Sequence, residues 1–322
     1  MTQDHDASPR IAIIGAGMAG LTCAIALRER GHTATLFDKG RGAGGRMSTR
    51  RVTVEDEEIT FDHGAQYFTA RDPGFVEVVE GWEAKGVAAR WPAAGNDAFV
   101  GTPGMNGPLK HMAYDMDVRW STRVEAFART ANAWSLLIGG AEQLYDVVII
   151  AVPAEQAANL LKGAGHSFAD IASCSHSAPC WATMASFEAR LPITVDCRKE
   201  KNARISWAAR NSAKPARMDR ECWVLHASPD FSREMLDLPK AAVAQKMLST
   251  FFEENACDPR IPTYSDAHRW LYAMAEPSGD QSYLWDAEAG LGVCGDWCVA
   301  PRVEGAWQSG NAMARAIVAA PV

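Results

Sequence analysis

Residues Arg10–Asp38 read RIAIIGAGMAGLTCAIALRERGHTATLFD, and the order of residue types within them decides the fold. Ile11-Ala12-Ile13-Ile14 is a short apolar run, the composition of a strand buried on both faces of a parallel sheet. Gly15-x-Gly17-x-x-Gly20 follows, then Met18, Leu21 and Ile25 recur at helical spacing as far as Arg30, with Gly31 where a left-handed cap would end the helix. A second strand, Thr33–Phe37, finishes on Asp38. Each glycine has a mechanical reason: Gly15 for the tight turn, Gly17 for close approach of backbone to a pyrophosphate, Gly20 for close packing of helix on strand. The helix N-terminus offers free N–H groups to phosphates, and Asp38 can accept hydrogen bonds from an adenosine ribose.

The chain has 322 residues, of which 48% are hydrophobic, enough for a sizeable core and about two domains. A formal charge of -7 argues against a polyanion-binding surface, so nucleic acid is not expected as a partner. Met1–Pro9 is polar and carries two aspartates, which reads as a short disordered tail and not a signal peptide. Apolar runs such as Val147–Val152 are too short to cross a bilayer, and a soluble cytoplasmic protein, as a monomer, is the expectation. Eight cysteines are scattered without a CxxC pair or zinc spacing, so reduced thiols and no metal are expected.

Downstream of Asp38, KGRGAGGRMSTRR is a glycine- and arginine-rich loop in which Gly44-Gly45-Arg46 places a guanidinium where a second phosphate or the ribityl chain of a larger cofactor would lie. Met47–Val54 and Glu58–Asp62 form an expected hairpin that runs into Asp62-His63-Gly64-Ala65-Gln66-Tyr67-Phe68, a mixture of polar and aromatic groups suited to lining a site. Helices are expected over Asp72–Gly86, from Pro103 to Tyr114, over Ala154–Leu161 and over Pro239–Asn255. Short strands Val118–Trp120, Val124–Ala128 and Trp134–Ile138 read as a meander leading into a buried strand, Tyr145–Val152. From about Gly163 to Tyr283 the chain turns aromatic, with strand patterns WATMASFEA, ARISWAA and CWVLHAS, the signature of an antiparallel sheet under a covering helix. Leu291–Cys294 then returns as a strand ending at Gly295-Asp296-Trp297, followed by a helix from Val303 to Ala319.

GAGMAG, DKGRGAGGRMSTRR, DHGAQYFTARD, PGM, AVP, HRWLYA and GDW with RVEGAW together resemble the two-dinucleotide-binding-domain flavoproteins of the amine oxidase and p-hydroxybenzoate hydroxylase-like group. More narrowly they look like the bacterial branch of the renalase family, over nearly the whole chain. The resemblance implies an α/β fold: a discontinuous Rossmann-like FAD-binding domain over 8–74, 98–162 and 286–322, with an inserted α+β substrate domain over 75–97 and 163–285. It implies noncovalent FAD and oxidation of dihydro-NAD(P) isomers, whose hydride sits at ring position 2 or 6, to NAD(P)+. Gly15, Gly17, Ala19 and Gly20 would hold the pyrophosphate, Asp38 the adenosine ribose with Lys39 beside it, and Gly45 and Arg46 the pyrophosphate or ribityl chain. Val124 would meet the adenine, Asp296 the ribityl hydroxyls, and Val303 the pyrimidine edge of the flavin, with Gln66 and Tyr67 beside the isoalloxazine. Asn211, His226 and Trp270, together with Tyr67, would face the substrate.

Two other readings share these residues. A flavin amine oxidase would use a lysine near flavin N5, for which Lys214 in NSAKP is the one lysine of the adjoining segment, and in some members a cysteine thioether, for which Cys294 and Cys298 stand nearest. A flavin-binding protein without turnover would bind FAD yet not be bleached by any dihydronicotinamide.

Overall fold

A four-residue strand of Ile, Ala, Ile and Ile has no polar face to turn to water, so it has to lie inside a sheet with neighbours on both edges. The computed structural model, which describes residues 9–277 and 279–319, places it there. Ile11–Ile14 pairs in parallel with Ala34–Phe37 on one side and Val147–Ile150 on the other. The six-stranded sheet runs Leu284–Asp286, Leu291–Val293, Val147–Ile150, Ile11–Ile14, Ala34–Phe37, Asp117–Arg119, parallel except for its first pair. Helices Met18–Arg28 and Val303–Ala319 pack so closely that a Cβ on Gly310 would meet the Ala19 carbonyl oxygen at 2.2 Å. The expected meander is a separate antiparallel sheet of Val124–Arg129, Trp134–Ile138 and Ala141–Tyr145, packed through Phe127, Trp134 and Leu136.

These elements form one compact unit, made of the residues through Gly45, Leu109–His176 and those from Ala275 on. Arg46–Pro108 and Ser177–Met274 form a second. Its five-stranded sheet has the order Cys197–Lys199, Ile205–Arg210, Cys222–Ala227, Ser177–Ser186, Tyr264–Ala275. Helix Lys240–Glu254 covers one face through Val243, Met247 and Phe251, in a core with Trp181, Trp223 and Phe231. The hairpin Thr49–Val54 with Glu57–Asp62 packs on the sheet through Val54, Ile59, Phe61, Met184 and Val224, which fixes where Asp62 and the residues after it stand.

Several elements differ from expectation. Asp117–Arg119 joins the main parallel sheet instead of the meander. The Tyr145–Val152 strand is broken because Asp146 turns to accept the Arg10 backbone N–H at 2.7 Å, leaving Val147–Ile150 in the sheet. The helix expected from Pro103 begins at Gly107, since the Met105 N–H bonds to the Asp62 carboxylate at 2.8 Å and not along a helix axis. By packing, residues 46–74 and 98–108 group with the second unit and 163–176 and 275–285 with the first, a partition other than the expected domain bounds. Residues 1–8 of the expected tail lie outside the described residues, among which no helix is long and apolar enough to cross a membrane.

Candidate functional site

The first unit carries a dinucleotide cradle. Gly15 sits at φ +109, in the left-handed region, and a Cβ there would meet the Ala151 carbonyl oxygen at 2.4 Å. On Gly20 a Cβ would fall 2.0 Å from the Gly15 carbonyl oxygen. Gly17 differs, because its backbone is extended and a Cβ would meet nothing within 4 Å. Nothing in the chain requires glycine at 17; the space in front of it is open. Helix Met18–Arg28 starts behind that space with no side-chain cap and no acidic residue in its first turn, so the amides of Met18, Ala19 and Gly20 and the positive dipole end are left for an anion.

Asp38 ends the next strand and organises the same loop, accepting from the Ala16 N–H at 2.8 Å and the Gly40 N–H at 2.6 Å. Each oxygen retains a lone pair for a ribose hydroxyl. Lys39 donates to Gln156 Oε1 at 2.8 Å, and its pKa is lowered by burial and by Arg123, with Asp38 opposing. Val124 opens the first meander strand, Asp296 begins a short turn at the end of Leu291–Val293, and Val303 is the first residue of the final helix. Gly45 also belongs to this unit, whereas Arg46, Gln66 and Tyr67 belong to the other. Cys294 and Cys298 are buried free thiols; a hydrogen bond with Cys23 together with burial raises the first, and burial raises the second.

In the second unit the hairpin delivers Asp62 into a fully buried position. Its Oδ2 accepts from Lys214 Nζ at 3.2 Å and from Arg217 Nη2 at 2.6 Å, its Oδ1 from Thr49 Oγ1 and the Met105 N–H, both at 2.8 Å. Burial pushes the carboxyl pKa up, but the two cations outweigh it and hold the group well below the usual carboxylate range. Lys214, 2% exposed, also donates to Gln66 Oε1 at 3.1 Å; burial lowers its pKa to about 8, against the pull of Asp62. Gln66 Nε2 lies 3.3 Å from His226 Nε2, and Tyr67 stacks on Trp207 with centroids 5.2 Å apart while its hydroxyl accepts from Lys199 at 3.0 Å. Trp207 is the cross-strand neighbour of His226, and its indole N–H has no partner among the described residues.

The structure therefore brings Gln66, Tyr67 and His226 into one polar and aromatic cluster. Trp270 stands a little apart, donating to the His63 carbonyl at 2.8 Å in a three-ring group with His63 and His268. Asn211 departs from expectation. It is 1% exposed, its Nδ2 donates to the Thr60 carbonyl at 2.9 Å and its Oδ1 accepts from the Asp62 N–H at 3.2 Å, so in this structure it ties two strand ends together. Sequence reasoning included Asp62 in a site-lining segment without giving it a role, did not single out Arg217 or Trp207, and weighed Lys214 only as an amine oxidase lysine; the available signal for Trp207 was an alternating strand with tryptophan. Among the described residues no cluster of His, Cys, Asp and Glu could hold a metal ion.

Three histidines stay neutral in this fold. Burial lowers His63 to about 3, with His268 and Arg50 adding to it. Burial and Lys214 bring His226 to about 4, and burial and Arg50 bring His268 to about 4. Below pH 6.5 the unfolded chain takes up protons that the folded chain excludes, so stability falls as pH drops from 6.5 toward 4, by up to about 1.4 kcal/mol per pH unit for each histidine and less for the part-exposed His268. Urea midpoints at constant ionic strength should thus decrease between pH 7 and pH 5; a flat profile over that range would refute the neutral assignments.

The family model described as "Flavin containing amine oxidoreductase" matches residues 85–318, and that of an "NAD(P)-binding Rossmann-like domain" matches 13–80. A 4,4'-diapophytoene desaturase of Staphylococcus aureus is 40% identical over 55 residues, a match covering 17% of this chain and 10% of the desaturase. A structure assigned as a protoporphyrinogen oxidase from Exiguobacterium sp. 255-15 superposes with a TM-score of 0.76 at 13% identity, covering 97% of this chain and 99% of the other. A putrescine oxidase bound to putrescine gives 0.68 at 14% identity, covering 98% and 100%. For cyclohexylamine oxidase from Brevibacterium oxydans the TM-score is 0.64 at 11% identity, covering 97% and 99%. At these identities the likeness to solved structures is one of fold.

Proposed function

This chain belongs to the flavin containing amine oxidoreductase family, and we propose that it is an FAD-dependent oxidoreductase that oxidises isomeric dihydro-NAD(P) to NAD(P)+. The open space at Gly17 and the uncapped helix behind it fit the pyrophosphate of FAD, and Asp38 fits its ribose. Cys294 and Cys298, both buried and neutral, favour a cofactor held without a covalent bond. Bound FAD supplies the two-electron acceptor, taking a hydride at N5.

The observation that carries the choice of substrate is the charge of the cluster around Gln66 and His226. The carboxylate buried there, Asp62, is shared by two cations, Lys214 and Arg217. His226 and His63 add no negative charge. An alkylammonium substrate would meet net positive charge here with no free carboxylate to receive it, whereas a dihydronicotinamide ring is uncharged and its dinucleotide tail is anionic. Tyr67, backed by the buried Trp207 on which it stacks, offers a flat apolar surface for a planar ring. Hydride transfer needs orientation and exclusion of water more than a base, which suits a cluster whose neutral imidazoles are only weak bases.

One observation favours a second reading, amine oxidation: a buried lysine stands beside Gln66, as that chemistry would use. Anaerobic mixing of the holoprotein separates the two. The 2- and 6-dihydro isomers of NADH and NADPH should bleach the flavin absorbance, ordinary NADH much more slowly. Fast bleaching by primary amines with none by the isomers would overturn the proposal.

A further inference from the structure

Across the sheet of the second unit, Lys199, Trp207 and His226 form one row. Lys199 pairs with Trp207 in the antiparallel register of Cys197–Lys199 with Ile205–Arg210, and Trp207 pairs with His226 of Cys222–Ala227. Directly opposed residues on antiparallel strands project from the same face, so the three side chains stand side by side over about 10 Å, two strand spacings. Consecutive loop residues lie along this row. Gln66 Nε2 is 3.3 Å from His226 Nε2, Tyr67 stacks on Trp207, and the Tyr67 hydroxyl accepts from Lys199 Nζ at 3.0 Å. Burial falls from one end to the other: Gln66 is buried, Tyr67 half-buried and Lys199 exposed.

The ammonium at the open end has charge to spare. Two nearby arginines are matched, Arg198 by Glu254 and Arg204 by Glu234, whereas among the described residues Lys199 has no ion pair. Its bond to a neutral hydroxyl uses one of three N–H donors. Nζ stands 5.7 Å from the Tyr67 ring centroid but 3.0 Å from the hydroxyl oxygen, so it lies out beyond the hydroxyl, near the long axis of the ring, and does not cover the face turned away from Trp207. Inner polar end, flat ring and outer cation follow in the order in which a nicotinamide dinucleotide carries its carboxamide-bearing ring, ribose and pyrophosphate.

We propose that Lys199 is a specificity-determining residue that receives the pyrophosphate of a dinucleotide substrate whose ring lies against Tyr67, an assignment that rests on the substrate reading above. The contact is charge-assisted but faces solvent, so its removal should weaken binding about three- to thirtyfold, and less as salt is added.

Anaerobic flavin reduction of the holoprotein by the 2- and 6-dihydro isomers of NADH, set beside the matching isomers of nicotinamide riboside, which have no phosphate, tests that contact. In Lys199→Met the half-saturating concentration of the dinucleotides should rise by that factor and that of the ribosides much less, so the preference for a dinucleotide falls and its dependence on ionic strength flattens. Lys199→Arg should restore most of the preference. Calorimetric titration of the holoproteins with ADP-ribose, the tail without the nicotinamide, reads the same contact without turnover and should show the same weakening in Lys199→Met. Equal losses for dinucleotide and riboside would mean that the lysine only props Tyr67 and would overturn the inference, as would ADP-ribose binding that ignores Lys199 or is absent altogether. ADP-ribose bound through Lys199 while no isomer bleaches the flavin would leave the anion contact standing and remove the substrate reading alone.

Discussion

Asp62→Asn is expected to lower the stability of the holoprotein by about 3–5 kcal/mol, the scale of removing one partner from a buried ion pair. The substitution keeps the shape of the side chain, so no cavity opens and the effect isolates the charge. Asp62 and Lys214 have fully buried side chains and that of Arg217 is 1% exposed, so both cations would be left inside the unit without their counter-ion. Lys214 can respond by losing its proton, since its pKa already lies near 8, but a guanidinium has no such escape. An asparagine NH2 turned toward Arg217 would add a donor facing donors, and one turned the other way would face the Met105 N–H and the Thr49 hydroxyl. Urea unfolding at pH 7 under saturating FAD measures the loss. Adding Lys214→Met should recover about 1 kcal/mol or more, because the two sites share one network and their effects do not add. An unchanged midpoint for Asp62→Asn would show that the charges are solvated and that the substrate argument built on them fails.

That network explains why one part of this protein can be read from its sequence and another cannot. Ile11 to Asp38 is legible because strand, turn, helix and acid are contiguous, and because Gly15 and Gly20 have no substitute where a Cβ would strike backbone oxygen. Hydropathy also finds the helix Lys240–Glu254 and the strand Val147–Ile150, whose burial follows their patterns. Asp62, Lys214 and Arg217 defeat the same rules. Taken singly, a lysine and an arginine in NSAKPAR belong on a solvated loop; they are buried only because a carboxylate some 150 residues earlier arrives to neutralise them. Asn211 is the converse case. Its polarity suits a pocket, but the hairpin brings the Thr60 carbonyl and the Asp62 N–H within reach and the buried amide bonds to both. The strand at Asp117–Arg119 is expected to within one residue but assigned to the wrong sheet, since three residues, two of them charged, do not show which neighbour they will pair with until Ala34–Phe37 lies alongside.

Gly17→Ala and Gly20→Ala should both cost FAD, by routes that measurement can separate. At Gly17 the backbone is extended, with φ -81 and ψ -170, a conformation open to any residue. The added methyl would meet no atom of the chain. The slightly poorer helix cap is offset by a stiffer unfolded chain, so the apoprotein should keep its urea midpoint to within about 1 kcal/mol. The methyl instead occupies the space in front of the Met18–Gly20 amides, where it displaces a phosphate from charge-assisted hydrogen bonds worth about 1.5–3 kcal/mol, a ten- to hundredfold weaker affinity for FAD. At Gly20 the Cβ would lie 2.0 Å from the Gly15 carbonyl oxygen and 3.3 Å from Ala151 Cβ, so helix, turn or strand has to move. That overpacking should destabilise the apoprotein by about 1–3 kcal/mol as well as emptying the cradle. Flavin-to-protein absorbance ratios after gel filtration, set beside apoprotein urea midpoints, give both readouts. The expected pattern is a colourless, normally stable Gly17→Ala protein and a colourless, weakened Gly20→Ala protein. A Gly17→Ala variant that retained its yellow colour and full affinity would mean that the open space beside residue 17 is not where the pyrophosphate lies.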